Sequence, residues 1–206
     1  MVTTSMTAPP PEELADSQQR RRFLVAAAGA AAGAMTAAAA YPFLASMAPS
    51  ARARAEGAPV DVDVGGIAAG ELKVVAWRGR PVWLLRRTAA MLAGLGGHDQ
   101  LLADPASREP QQPPYCRNRD RSIRPDLFVA VGVCTHLGCS PKLRLGEDTA
   151  DLGADWPGGF FCPCHGSKFD LAGRVFRNVP APTNLVIPSY RYLNDARLTI
   201  GEDPPA

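Results

Sequence analysis

Excess charge is the first thing this sequence lacks. Its 206 residues carry 22 Lys and Arg against 20 Asp and Glu, a net charge of +2. There is no basic footprint for nucleic acid, and that partner class is excluded. Cysteine is scarce too: five are too few for a disulfide scaffold, and a chain of this length can bury a core without one. No internal repeat marks a solenoid. Helical patterning is rare beyond residue 58, where only "TAAMLAGL" (88–95) shows it, closed by Gly96–Gly97. What the sequence does have is 20 prolines and 19 glycines in non-repetitive order, which suits many turns and short strands.

One long stretch lacks charge altogether. After Arg20, Arg21 and Arg22 no charged residue occurs until Arg52. A helix rises about 1.5 Å per residue, so about 20 residues cross a hydrocarbon core of about 30 Å. The stretch exceeds the about 7–15 apolar residues of a cleavable export signal. Tyr41, Pro42 and Phe43 stand where an interfacial anchor would lie. A retained transmembrane helix is therefore expected at 23–46, with signal cleavage and a soluble helix as the alternatives. The arginines keep residues 1–22 on the cytoplasmic side and send the rest of the chain across. "RRRFL" (20–24) also fits a twin-arginine export signal. Residues 1–19, polar and with prolines at 9–11, are expected to be disordered. "APSARARAEGAP" (48–59) has no apolar period with which to pack, so 47–58 is expected to be a flexible hinge and 59–206 the head.

Within the head, "VDVDV" (60–64), "LKVVAW" (72–77), "PVWLLRRT" (81–88), "DLFVAVGV" (126–133) and "GGFFCP" (158–163) read as strands. "LVIP" (185–188), "YRYL" (190–193) and "RLTI" (197–200) follow, with Asn194–Asp195 turning the last pair. Residues 98–125 are irregular. The expected class is all-β.

Four of the five cysteines and two of the three histidines fall in "CTHLGC" (134–139) and "CPCHGS" (162–167). Each loop supplies Cys and His at short spacing: Cys134 with His136, Cys162 with His165. Thiolate with imidazole suits zinc, copper or iron and excludes magnesium and calcium. Adding Cys139 and Cys164 gives six candidate groups, two more than a tetrahedral site uses. A zinc finger keeps its cysteines together and its histidines together, whereas each loop here mixes the two. A [2Fe–2S] cluster with two thiolates on one iron and two imidazoles on the other demands such mixing. If Cys134 and Cys162 bind one iron and His136 and His165 the other, Cys139 and Cys164 are left free to bridge.

The two loops, with "RRRFL", the apolar anchor and "VPAPTNL" (179–185), resemble Rieske iron–sulfur proteins, most closely the iron–sulfur subunits of bacterial cytochrome bc1 complexes. The resemblance spans nearly the whole chain. It implies a Rieske-type antiparallel β-sandwich head with a small cluster-binding lobe at about 126–183, preceded by the membrane helix. It implies one [2Fe–2S] cluster held by Cys134, His136, Cys162 and His165, and a disulfide between Cys139 and Cys164. Leu137 would shield the cluster, Ser167 would donate to a bridging sulfide, and "PAP" (180–182) would cover a third side. As a subunit of a quinol–cytochrome c reductase, inactive alone, the chain would work with cytochrome b and cytochrome c1. His165, and with it His136, would face ubiquinol or a related quinol. The complex would be dimeric and set in the bacterial inner membrane with the head in the periplasm.

Two positions depart from the pattern. Phe169 stands where many respiratory relatives carry a tyrosine that donates to a ligand sulfur, and Val179 where a glycine often precedes "PAP". The competing functions are the Rieske small subunit of a periplasmic molybdenum oxidase, such as arsenite oxidase, and, more weakly, a ring-hydroxylating oxygenase. Away from the loops the expectations are plainer. Cys116 is read as a buried or loop thiol, His98 as solvated surface, and Trp77, Trp83 and Trp156 as core or rim. Arg86–Arg87 and "CRNRDRSIR" (116–124) are read as a solvated face.

Overall fold

The computed structural model describes residues 11–51, 53, 57–146, 149–153 and 156–205. It forms two compact units, Met1–Ala53 and Arg54–Ala206. The first is a helix, α1 (Pro11–Ser46), 36 residues long. The part from Asp16 to Ser46 has a mean hydropathy of 1.7 over its most apolar window, none of it buried within the unit. At about 1.5 Å per residue it is long enough to cross a bilayer. Thr36 and Ser46 return their hydroxyls to the carbonyls of Ala32 and Phe43, at 2.9 and 2.7 Å, so neither is left bare on an apolar face. Residues 11–19, expected to be disordered, are helical instead: they are rich in Glu, Gln, Leu and Ala, good helix formers that extend an existing helix at little cost. Residues 1–10 of the expected tail, and 52 and 54–56 of the expected hinge, lie outside the described residues.

Among the described residues, the head is built from three three-stranded antiparallel sheets. The first orders β1 (Val60–Asp63), β9 (Arg197–Ile200) and β8 (Tyr190–Tyr192), with Val62 opposite Leu198. The second orders β2 (Leu72–Trp77), β3 (Arg80–Arg86) and β4 (Leu127–Val131), with Leu85 opposite Phe128. Arg78 and Gly79 join β2 to β3 with φ of 51° and 68°, the two left-handed residues of a tight hairpin. The third orders β5 (Lys142–Arg144), β6 (Gly159–Phe161) and β7 (Lys168–Phe169). A short helix, α2 (Ala89–Gly94), starts where Thr88 Oγ1 accepts the Met91 N–H at 3.2 Å.

β4 is buried at every residue, and the Trp83 ring of β3 stacks on Phe160 of β6 at 4.7 Å, so the second and third sheets share one core. Burial of rings of this size contributes about 1.5–3 kcal/mol each. The path from β4 into the first Cys loop runs under Trp83, where Gly132 is pressed so close that a Cβ would enter the indole.

Several expectations are corrected here. "LVIP" is not a strand, because its amides and carbonyls go to three separate partners: Leu185 N–H to Gly173, Ile187 N–H to Gln111, and the Val186 carbonyl to Val131 N–H, each at 2.8 Å. Strands β5 and β7 were not anticipated. Arg87 and Arg121, expected on a solvated face, are 3% and 0% exposed. Arg121 donates to the carbonyls of Ala172, Gly173 and Leu185 and to Gln112. Arg87 donates to those of Asp120, Pro125 and Leu171. Burial pulls both guanidiniums down to about 10, which still leaves them cationic at neutral pH. His98, expected in solvent, is buried, stacked on Phe176 and 3.3 Å from Asp170. Trp83 is core, as expected, and the indoles of Trp77 and Trp156 are half-buried rim.

Behind the third sheet lies a buried ionic group. Asp170, fully buried, accepts from the backbone N–H groups of Ala172 and Arg174 on one oxygen and from Arg174 Nε on the other, at 2.9, 2.7 and 2.7 Å. Burial alone would raise this carboxyl, but His98 and Arg174 hold it below the usual range. Arg174 also reaches Asp99 and the carbonyl of Leu95, tying the 95–105 segment to the turn after β7.

Candidate metal centre

The two Cys-His loops fold as the same turn made twice. After β4, the Cys134 N–H donates to the Cys139 carbonyl at 2.7 Å, and the Gly138 N–H donates back to the Cys134 carbonyl at 3.0 Å. After β6, the Cys162 N–H donates to the Ser167 carbonyl at 2.8 Å, and the Gly166 N–H to the Cys162 carbonyl at 2.9 Å. Gly138 and Gly166 take φ of 85° and 80°, a conformation that a side chain would strain. The equivalence explains the glycine four residues after each leading cysteine.

Repeating the turn gives both loops the same polarity. Cys134 and Cys162 point inward, 3% and 2% exposed, while His136 is half-buried and His165 exposed. The two imidazoles meet edge to face with ring centroids 4.8 Å apart. Leu137, at the tip of the first loop, is 72% exposed.

Cys139 and Cys164 form a disulfide that joins the loops. The free thiols, all buried, are Cys116, Cys134 and Cys162. The sulfurs of Cys139, Cys162 and Cys164 lie within 4.8 Å of one another, but the two in the disulfide have no thiolate to offer a metal. Burial, and then the adjacent Cys134 sulfur, push the Cys162 thiol up, while the backbone amides of Cys164 and His165 act in the opposite sense. With the site empty this favours the neutral form of Cys162, and a cation placed beside it would act in the opposite sense.

A third loop closes the site. The Ala181 N–H donates to Ser167 Oγ at 3.0 Å, and Thr135 Oγ1 donates to the Thr183 carbonyl at 2.7 Å. Because the buried Ser167 oxygen is occupied as an acceptor, its proton is left to donate elsewhere. Thr135, Asn184 and Gly132 escaped the sequence reading. Asn184 accepts the Val175 N–H at 2.8 Å and so sets the base of the proline loop. A glycine two residues before a Cys loop was the available signal for Gly132. Cys116 is the buried thiol expected of it, beside Tyr190 Oη at 3.8 Å, with burial raising its pKa to about 11.

The donor set therefore segregates, thiols inside and imidazoles outside, which fits an iron pair with unlike ligands better than one tetrahedral ion. Comparison with known proteins agrees. Residues 112–191 match the family model described as the Rieske [2Fe-2S] domain, and 10–50 match the TAT signal of the ubiquinol–cytochrome c reductase Fe-S subunit. The ubiquinol–cytochrome c reductase iron-sulfur subunit of Allochromatium vinosum is 61% identical over 162 residues, covering 79% of this chain and 78% of that one. The chain belongs to the Rieske iron–sulfur subunits of ubiquinol–cytochrome c reductase. The Rieske subunit of the same name from Blastochloris viridis is 39% identical over 165 residues, covering 80% of this chain and 83% of its own. Among solved structures, a chain of a hyperthermophilic respiratory Complex III is 27% identical, covering 86% of this chain and 98% of that one, with a TM-score of 0.45. As a Rieske subunit the chain carries a [2Fe–2S] cluster and serves electron transfer in the cytochrome bc1 complex. The molybdenum-oxidase alternative is not favoured, since the curated relatives named above are reductase subunits.

Proposed function

We propose that Cys134 and Cys162 would hold one iron of the cluster and His136 and His165 the other, and that His165, with His136, binds the quinol and takes its proton. The observation that carries this reading is the pair of imidazoles, one exposed and one half-buried, standing outside two buried neighbouring thiols. A [2Fe–2S] cluster with histidine ligation supplies a one-electron acceptor of higher potential than an all-thiolate cluster. The exposed ring nitrogens supply the rest. They can accept a hydrogen bond from a quinol hydroxyl and hold its proton, so electron and proton leave the quinol to one site. Leu137 would shield the cluster at the loop tip and the proline loop would cover its third side, and Ser167 has a hydroxyl proton free to donate.

On this reading cytochrome b shares the quinol site and cytochrome c1 receives the electron from the head. The helix from 23 to 46 anchors the chain in the inner membrane of a bacterium with residues 1–22 cytoplasmic. The segment 47–58 is the hinge and 59–206 the periplasmic head, with 126–183 as its cluster lobe, in a dimeric complex. Ubiquinol or a related quinol is the substrate.

Voltammetry of the loaded, full-length subunit tests the proton role. The midpoint potential is expected to be flat in acid and to fall by about 59 mV per pH unit once an imidazole of the oxidised form has lost its proton. A potential independent of pH into strong alkali contradicts a histidine that carries protons.

A further inference from the structure

The disulfide that joins the two loops has a free thiol beside it. Cys162 is unpaired and buried, and its sulfur lies within 4.8 Å of both sulfurs of the Cys139–Cys164 bond. Attack of a thiolate on a neighbouring disulfide needs no outside oxidant, only approach to one of the two sulfurs. We propose that, whenever the cluster site is empty, Cys162 exchanges into this disulfide and locks the loops as Cys139–Cys162, a form that cannot take up iron. This rests on Cys162 being a cluster ligand, because only then does filling the site remove the attacking sulfur.

The step is an isomerisation. Cys162 gives its proton to solvent and its sulfur bonds to that of Cys139; the Cys139–Cys164 bond breaks, and Cys164 departs as a thiolate that is then protonated. One disulfide and one thiol are present before and after, so no net oxidation occurs. Of the two sulfurs in reach, that of Cys139 is the one to accept the attack. Bonding to Cys164 would close a small ring around Pro163, whose fixed φ resists that curvature. Exchange at Cys139 keeps the loops joined and frees Cys164, which is exposed, whereas Cys162 is 2% exposed. The product is therefore not strongly opposed by burial and has its former partner turned toward solvent. The consequence is an order of assembly, in which iron must enter while Cys139 and Cys164 are still reduced, or the site must be filled before the bridge can rearrange.

The test maps disulfides in the full-length protein, loaded and after the cluster is stripped with a chelator under non-reducing conditions. Samples are trapped with N-ethylmaleimide, digested and read by fragment-ion mass spectrometry. The expected result is Cys139–Cys164 in the loaded protein, and in the stripped protein its loss in favour of Cys139–Cys162 with the label on Cys164. Cys162→Ser, which lacks a ligand and on this reading is isolated with the site already empty, is mapped as purified, and there Cys139–Cys164 should persist. Retention of Cys139–Cys164 in the stripped wild type, any other pairing there, or its loss in Cys162→Ser overturns the proposal. The ligand reading fails separately: Cys162 labelled in native, loaded protein with iron retained would show that it is not a ligand.

Discussion

Asparagine in place of Asp170 removes the fully buried anion that contacts the buried guanidinium of Arg174. Arg174 is 1% exposed and Asp170 0% in their ion pair. Asp99, the second carboxylate on Arg174, is half in water and screened. Asparagine keeps an oxygen for the N–H groups of Ala172 and Arg174, but its amide then faces Arg174 Nε, donor against donor. Removing one partner of a buried pair costs about 3–5 kcal/mol, a large share of the about 5–15 kcal/mol that holds a domain together. At a urea slope of about 2 kcal/mol/M the unfolding midpoint should fall by about 1.5–2.5 M. All three tryptophans, Trp77, Trp83 and Trp156, lie in the head, so intrinsic fluorescence reads its unfolding without interference from the helix. The pH dependence carries the same signature. Since the folded protein holds the Asp170 carboxyl below its ordinary value, this contribution is complete above the unfolded value of about 3.9. It is lost as pH falls through the lower folded value, a loss that the asparagine variant lacks. A midpoint shift worth less than about 1 kcal/mol, or an unchanged acid limb, would refute the assignment of this pair as the clasp behind the third sheet.

Other consequences can be checked more simply. Phe169 is fully buried in the core that also contains Cys134 and Cys162. In Phe169→Tyr a hydroxyl donating to a ligand sulfur should favour the reduced state and raise the potential by about 30–60 mV, up to a tenfold preference. A potential unchanged or lowered in film voltammetry contradicts it. In Gly132→Ala the new methyl enters the Trp83 indole. Overpacking of this kind costs about 1–3 kcal/mol, and because Cys134 follows two residues later, purified protein should carry less iron per chain than wild type. Equal iron content and equal stability would show that this close approach does not position the loop.

The loops were the most legible part of the sequence because a metal site writes its ligand types directly into short spacings. "CTHLGC" and "CPCHGS" announced their chemistry before any fold was known, and the strand runs at 72–77 and 126–133 alternate or sit buried plainly enough to be seen. What was hidden depends on partners far along the chain. Arg121 stands in a run that looks solvated, yet its acceptors are the carbonyls of residues 172, 173 and 185, and no local pattern reveals that. His98 is buried because Asp170 and Phe176 wait for it from more than 70 residues away. β7 has two residues and β5 three, too few for any period to show. The helical course of residues 11–19 was hidden because their polar composition pointed to disorder, while the helix they extend is set by the apolar run that follows.

The most direct test of the unlike-ligand centre is electron–nuclear double resonance on the dithionite-reduced, full-length protein grown with 15N-histidine. Two distinct strongly coupled imidazole nitrogens, lost in variants of His136 or His165, are the predicted result. A spectrum without histidine coupling, or iron-free protein whose metal is zinc, would contradict the account.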